Sequence, residues 1–146
     1  MFDDMSWWQI LLFPFSIAYA AIAMLRNWLY DIGVFKSSGF DIPTICVGNL
    51  STGGTGKTPM IEWLIEKLKS DYKIAVLSRG YGRITHGYRE ITVDDNAMHS
   101  GDEPLQIKNN FPDCVVAVCE SRVDGMIQLL TDHPEINLVL LDDAFQ

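Results

Sequence analysis

The chain has few cysteines and few basic residues, and each shortage excludes a class of protein. It contains 11 Lys and Arg against 19 Asp and Glu, which gives a formal net charge of −8. Nucleic-acid-binding domains need a basic surface, so this charge excludes that class. Its 3 cysteines are an odd number without metal-ligand spacing, and Cys46, Cys114 and Cys119 all lie in apolar runs. We therefore expect buried, reduced thiols and no disulfide framework.

The composition is that of a folded protein of about one domain. A length of 146 residues is close to the prior of roughly 150 residues per domain. With 48% hydrophobic and 21% charged residues, the chain is not disordered. His86, His99 and His133 have no ligand spacing, and we expect them in exposed loops.

The N-terminal segment lacks charge altogether between Met5 and Leu25. This stretch reaches the length of about 20 residues that a membrane span requires, although Pro14 would kink or split a helix there. The acidic Asp3 and Asp4 argue against a secretory signal peptide. The segment is predicted to be an apolar helix that contacts a membrane, either peripherally or as a span. The alternative is a long helix packed on a protein domain.

From residue 37 onwards, short apolar runs alternate with amphipathic ones. Such continuously apolar strands, separated by helices, predict a parallel sheet covered on both faces. Predicted strands cover residues 43–48, 72–78, 114–119 and 136–141, and predicted helices cover 57–70, 103–110 and 122–130. Residues 88–93 alternate and could form half of a hairpin turned at 86–87. We assign residues 1–36 to the apolar helix with its linker, and 37–146 to an α/β domain.

A glycine-rich loop lies directly between the first predicted strand and the first amphipathic helix. This context is typical of a P-loop, in which main-chain amides surround phosphate oxygens at a helix N-terminus. Ser51 stands where the P-loop pattern has its first glycine, which is a departure. The fold class is therefore P-loop NTPase-like. The predicted nucleotide-binding residues are Ser51, Thr52, Gly53, Gly54, Thr55, Gly56, Lys57 and Thr58.

Two acidic residues, Asp142 and Asp143, end the last buried strand. A carboxylate at the carboxyl end of a strand beside the P-loop strand is where a Walker-B aspartate binds Mg²⁺. Read without the P-loop, the pair would be a solvated turn or a helix N-cap. With the P-loop upstream, the sequence favours a metal site.

Three further groups of polar residues have both a functional and a structural interpretation. Asp102 and Glu103 enter a helix and could supply a base and a metal ligand, or only a turn with an N-cap. Arg79 and Arg83 follow the second strand and could bind an anionic group, or only begin a solvated hairpin. Arg122 opens a later helix and is equally ambiguous.

Taken together, the motifs resemble those of one family. Residues 47–59, 78–83, 101–104 and 142–146 are similar, in order, to four signatures of the tetraacyldisaccharide 4'-kinases, the lipid A 4'-kinases of Gram-negative bacteria. The family shares the missing P-loop glycine, so Ser51 agrees with the resemblance. Ala144 replaces the glycine more usual after the paired acids.

The resemblance implies ATP- and Mg²⁺-dependent transfer of the γ-phosphoryl group to the 4'-hydroxyl of an acylated glucosamine disaccharide 1-phosphate. It implies that Lys57 contacts the phosphates and that Asp102 is the base. It also implies a peripheral or singly anchored protein at the cytoplasmic face of the bacterial inner membrane, with no obligate protein partner. Thr55 joins the phosphate contacts, Thr58 and Asp142 hold Mg²⁺, Glu103 and Asp143 assist at the metal, and Arg79, Arg83 and Arg122 contact substrate.

The length is the main departure from the family, whose chains are about twice as long. We expect a second domain to be missing and the 146-residue chain alone to be inactive. The alternative function is that of a membrane-associated P-loop NTPase working as a switch or a partner-binding ATPase. Such a switch has no need of the acids at 102–103 or the arginine loop at 78–83. A GTPase would also carry an Asn-Lys-x-Asp motif, which this sequence lacks.

Overall fold

The computed structural model describes residues 7–34, 39–48 and 56–142. It divides into two compact units, Met1–Gly39 and Phe40–Gln146. The helices are α1 (Trp7–Asp31), α2 (Lys57–Leu68), α3 (Ala97–Ser100), α4 (Asp102–Asn110) and α5 (Arg122–Asp132). The strands are β1 (Thr44–Val47), β2 (Ile74–Ser78), β3 (Arg89–Glu90), β4 (Val115–Val118) and β5 (Leu138–Asp142).

The first unit contains α1, a helix of 25 residues. Pro14 lies inside α1 and does not divide it, so the expected split does not occur. Within 7–34, 39–48 and 56–142, no helix has both the length and the apolar character needed to cross a membrane.

The second unit is built on a sheet whose strand order is β1-β5-β2-β4-β3. The pairs of β5 with β1 and with β2, and of β2 with β4, are parallel. Parallel strands require crossover connections, and α2, α4 and α5 lie in the segments that connect them. This architecture confirms the predicted α/β class.

Helices cover both faces of the sheet, as the unbroken apolar strands predict. On one face, Ile61 and Ile65 of α2 pack with Val76 and Leu140 in a buried cluster that also includes Ile107 of α4. On the other face, Met126 and Leu129 of α5 pack with Ala75, Leu77 and Val139. All five residues of β2 are buried, so this strand has no solvent-facing side and needs no polar alternation.

The edges of the sheet differ from the sequence expectations in two respects. The hairpin expected around residues 86–87 is wrong, because β3 pairs antiparallel with β4, which comes later in the chain. Cys46 is exposed, since β1 has a neighbour on only one side among the described strands. Cys114 and Cys119 are buried as expected, and burial raises the pKa of Cys114 to about 11, which keeps it a thiol.

His133 does not lie in an exposed loop as the sequence suggested. It follows α5, with 21% of its side chain exposed, between two carboxylates. Its Nε2 is 2.9 Å from Glu90 Oε2, and its Nδ1 is 3.2 Å from Glu135 Oε1. The hydrogen bond with Glu90, helped by Glu135, raises the pKa of His133. The pair with Glu90 ties the edge strand β3 to the end of α5.

Candidate functional site

The predicted motifs lie where parallel strands end. Val47, the last residue of β1, pairs with Asp142, the last residue of β5. Leu77, near the end of β2, pairs with Leu141. Asp142 therefore lies between the strand that leads to the glycine-rich loop and the strand that leads to the arginine loop. In open α/β sheets, ligands bind at this carboxyl edge.

Asp142 is a buried carboxylate with a fixed orientation. Its exposed fraction is 2% and that of Ser78 is 4%. The Ser78 hydroxyl donates a hydrogen bond of 3.1 Å to Asp142 Oδ2. Burying an ionised carboxylate is costly unless donors or cations compensate, so this position favours a cation at the same edge.

A cavity of about 240 Å³ opens at this edge and joins the motifs. It brings together the first residue of α2, the loop after β2, the start of α4 and the end of β5. Its lining residues are Lys57, Ser78, Arg79, Tyr81, Asp102, Glu103, Pro104 and Asp142. A larger cavity of about 390 Å³, lined by residues such as Ile74 and Cys114, contains none of the predicted site residues. We base the site on the smaller cavity, because its lining has the required charges.

The amino end of α2 is suited to bind phosphate. Gly56 precedes the helix with φ 80°, a left-handed conformation that glycine adopts without strain. No side chain caps the helix at Gly56. The first N–H groups of a helix favour an anion such as phosphate. The rest of the predicted loop, Ser51–Thr55, lies outside the described residues, so its nucleotide contacts stay predictions.

The start of α4 is held against the arginine loop by glycine. Gly101 has φ 88°, and a Cβ there would lie 3.4 Å from the Tyr81 carbonyl oxygen and 3.6 Å from the Gly80 Cα. These are ordinary contact distances, so a side chain at Gly101 would be disfavoured by the strain of the positive φ. The close packing sets Asp102 and Glu103, in the first turn of α4, at the cavity with Arg79 and Tyr81.

Arg79 and Arg83, predicted as a pair, have different surroundings. Arg79 is exposed and lines the cavity. The Arg83 side chain is only 2% exposed and lies 2.8 Å from Glu120. It also donates to the Gly87 carbonyl at 2.6 Å. These contacts give Arg83 an internal partner, and its contact with an anionic ligand stays a prediction.

Glu120 is a stable partner for Arg83. Burial would raise its pKa, but main-chain N–H donors, including that of Gly87, and the Arg83 guanidinium outweigh this and lower it. The carboxylate therefore stays ionised and holds the loop that carries Arg79 and Tyr81.

Arg122 also contacts the protein itself. Its Nη1 donates to the Leu77 carbonyl at 3.2 Å, and its Nη2 donates to the carbonyl of Asp142. It is not among the residues that line the cavity. Its role as a substrate ligand stays a prediction.

The donor set of the site fits Mg²⁺. Asp102, Glu103 and Asp142 place carboxylate oxygens around one cavity, and Mg²⁺ prefers oxygen ligands. In the described part of the chain, no three His, Cys, Asp or Glu side chains form a group that could hold a metal. Mg²⁺ sites with one or two carboxylates and substrate phosphates need no such group. Thr58 is half-buried and does not line the cavity, and Asp143 lies outside the described residues.

Ser78 and Tyr81 line the cavity but were not among the predicted site residues. Both lie in the arginine loop motif, so the motif itself was the available signal. What the sequence could not show is that Ser78 binds the carboxylate of Asp142, because 64 positions separate the two residues.

Comparisons with known proteins identify relatives of this chain. Tetraacyldisaccharide 4'-kinases from Flavobacterium johnsoniae and Bacteroides thetaiotaomicron are each 50% identical over 136 residues. The matches cover 93% and 92% of this chain, but only 40% and 36% of those relatives. The chain therefore spans less than half the length of these relatives.

A solved structure, the "apo" form of LpxK from Aquifex aeolicus in complex with ATP, is similar in fold. The TM-score is 0.75 with 36% sequence identity, over 92% of this chain and 44% of that one. The family described as LpxK, tetraacyldisaccharide-1-P 4'-kinase, matches residues 8–146. This chain therefore belongs to the tetraacyldisaccharide 4'-kinase family.

Proposed function

We propose that this chain forms the ATP-binding part of a kinase that phosphorylates the 4'-hydroxyl of a tetraacyldisaccharide 1-phosphate. The observation that carries the proposal is the 240 Å³ cavity, where Lys57, Asp102 and Asp142 meet at the carboxyl edge of the sheet. Phosphoryl transfer requires a cation beside the phosphates, and carboxylates for the metal and for the acceptor hydroxyl. The cavity has both kinds of charge.

Each residue has a separate task in this mechanism. Lys57, at the amino end of α2, binds the β- and γ-phosphates and neutralises charge as the γ-phosphoryl group moves. Asp102 accepts the proton of the sugar hydroxyl, so that the hydroxyl oxygen can attack the γ-phosphorus while ADP leaves. Asp142 and Glu103, which line the cavity, would hold Mg²⁺, and the sequence adds Thr58 and Asp143 to this set; the ion would neutralise charge on the phosphate oxygens. Arg79 lies at the cavity, where it would contact an anionic group of the substrate.

A switch ATPase, the alternative function, has less support. Such a protein needs nucleotide and metal contacts but no acceptor base. Asp102 and Glu103, in the first turn of α4, line the cavity. A carboxylate at this place can act as an acceptor base, which favours group transfer to a hydroxyl.

The proposal is tested by substituting Lys57, first in a binding assay with a fluorescent ATP analogue. Lys57→Ala should weaken Mg²⁺-dependent nucleotide binding and abolish transfer of ³²P from ATP to the lipid, measured in the complete protein. Lys67→Ala, on an exposed part of the same helix, is the matched control. Full binding and turnover by the Lys57 variant would contradict the proposal.

We also propose that α1 contacts membrane lipid, where an acylated substrate would be met. Large apolar side chains are exposed around this helix rather than on one stripe, and lipid is a suitable neighbour for them. Among the α1 side chains that the structure describes, residues 13–31, those exposed by 50% or more are Phe13, Phe15, Ile17, Tyr19, Ile22, Met24, Leu25, Trp28 and Tyr30.

Sedimentation with phosphatidylethanolamine–phosphatidylglycerol vesicles tests the membrane proposal. Serine at Phe15, Ile22 and Met24 should move the protein from the vesicle pellet to the supernatant. Serine at Met60 and Trp63, which are exposed on α2, should not. Equal pelleting of both variants, or loss of self-association by the first variant without loss of pelleting, would contradict a lipid partner.

A further inference from the structure

Arg122 lies next to the candidate metal ligand and donates hydrogen bonds to main-chain carbonyls there. We propose that Arg122 is a positioning residue, which fixes the end of β5 so that Asp142 presents its carboxylate to Mg²⁺. This inference rests on the proposed function and replaces the direct substrate contact that the sequence suggested.

The ladder between the two central strands ends just before Asp142. The ladder between β2 and β5 ends with the pair Leu77–Leu141. One step later, Ser78 pairs with Val118 of β4, and Asp142 pairs with Val47 of β1. The main-chain register of β2 with β5 therefore ends one residue before Asp142, and side chains join the two strands there.

Arg122 joins the ends of β2 and β5 through hydrogen bonds. One arm of its guanidinium donates to the Leu77 carbonyl of β2 at 3.2 Å, and the other donates to the Asp142 carbonyl of β5. A planar guanidinium can serve two acceptors in a fixed geometry, which a lysine ammonium on a flexible stem cannot reproduce. The bridge complements the hydrogen bond from Ser78 to the Asp142 carboxylate, so that both the main chain and the side chain of Asp142 are held.

The location of Arg122 supports a dedicated role. It is the first residue of α5, where the helix dipole makes a positive charge unfavourable. Two carbonyl acceptors at the strand ends offset this cost. Helix α5 reaches the strand ends because Gly125 packs directly on the sheet, where a Cβ would lie 3.1 Å from the Leu77 methyl groups.

The expected effect follows from the demands of Mg²⁺, which requires near-ideal octahedral geometry. Loss of a group that orients a metal ligand typically lowers metal affinity by about 10–100-fold. A simple charge effect has the opposite sign. Removing a cation close to the metal would strengthen Mg²⁺ binding, whereas loss of positioning would weaken it. The direction of the change therefore separates the two explanations.

The test measures the Mg²⁺ concentration needed for half-maximal binding of a fluorescent ATP analogue, in the complete protein. Arg122→Ala and Arg122→Lys should both raise it about tenfold, while nucleotide affinity without Mg²⁺ stays unchanged. Arg89→Ala is the matched control, because Arg89 pairs with Asp95 away from the cavity. Circular dichroism checks the fold of each variant, and the lysine variant keeps the charge if the alanine variant is unstable.

Each outcome has one interpretation. An unchanged or lowered Mg²⁺ requirement in a folded Arg122 variant overturns the inference while leaving the proposed function intact. A raised KM for the lipid with an unchanged Mg²⁺ requirement does the same, and returns Arg122 to substrate binding. If the unsubstituted protein shows no Mg²⁺-dependent nucleotide binding, the proposed function fails first, and the inference fails with it.

Discussion

Replacing Gly125 with alanine would place a methyl group between α5 and the sheet. The new Cβ would lie 2.8 Å from the Cβ of Cys119 and 3.1 Å from both Leu77 methyl groups. The leucine methyls can rotate away, but the Cys119 Cβ is attached directly to the main chain and can move only with it. The substitution therefore forces either the helix or the end of β4 to shift.

The size of the effect is a difference between two opposing contributions. Alanine in a helix interior is more favourable than glycine by about 1 kcal/mol. Overpacking of a well-packed interior costs about 1–3 kcal/mol. We therefore expect Gly125→Ala to lower the free energy of unfolding by about 1 kcal/mol. Gly125→Val should lower it by more, because valine adds two further carbon atoms and has a poorer helix propensity.

Urea denaturation followed by circular dichroism measures these changes. Position 128 supplies the control, since Gln128 is exposed on the same helix. The difference between Gln128→Ala and Gln128→Gly gives the helix propensity alone, and both variants lose the same hydrogen bonds to Asp132. If Gly125→Ala stabilises the protein by that same difference, α5 does not approach the sheet as closely as argued, and the route by which Arg122 reaches Asp142 fails.

Two further predictions concern the base and the edge strand. Asp102→Asn should lower kcat by roughly 10²–10⁴-fold with little change in ATP affinity, whereas Asp113→Asn, outside the cavity, should lower neither; an unchanged kcat would remove Asp102 as the base. His133→Gln should destabilise the protein at pH 6 more than at pH 9. The raised pKa of His133 means that its contribution is full below the ordinary value of 6.5 and is lost as pH rises through the folded-state pKa. Equal destabilisation at both pH values, or the same profile for His99→Gln, would contradict this assignment.

Elements with a strong local signal could be predicted from the sequence. The stripe of Ile61 and Ile65 predicts α2 from its first residue, and the apolar runs predict β2 and β5 to within two residues. The position of Asp142 beside β1 follows from the P-loop pattern, because the two motifs imply neighbouring strands.

Contacts between distant segments could not be predicted in this way. In the sequence, Arg83 follows a glycine and Arg122 begins a predicted helix, and neither context indicates the partner of the arginine. Their partners are the Glu120 carboxylate in one case and two strand-end carbonyls in the other. Both sets of partners depend on the strand order, which local patterns do not encode. The exposure of Cys46 has the same origin, since its apolar neighbours do not reveal that β1 is the outermost of the described strands.

The strand order also has a consequence for how the protein is made. β5 comes last of the five strands along the chain but lies between β1 and β2 in the sheet. While the ribosome is still translating residues before 138, the two earlier strands have no partner between them, and their apolar edges stay open. Pairing that closes such long loops is slow, and unpaired edges invite aggregation. The nascent chain is therefore most vulnerable until the segment that carries Asp142 emerges. The same segment therefore pairs with β1 and β2 and brings Asp142 to the metal-binding edge.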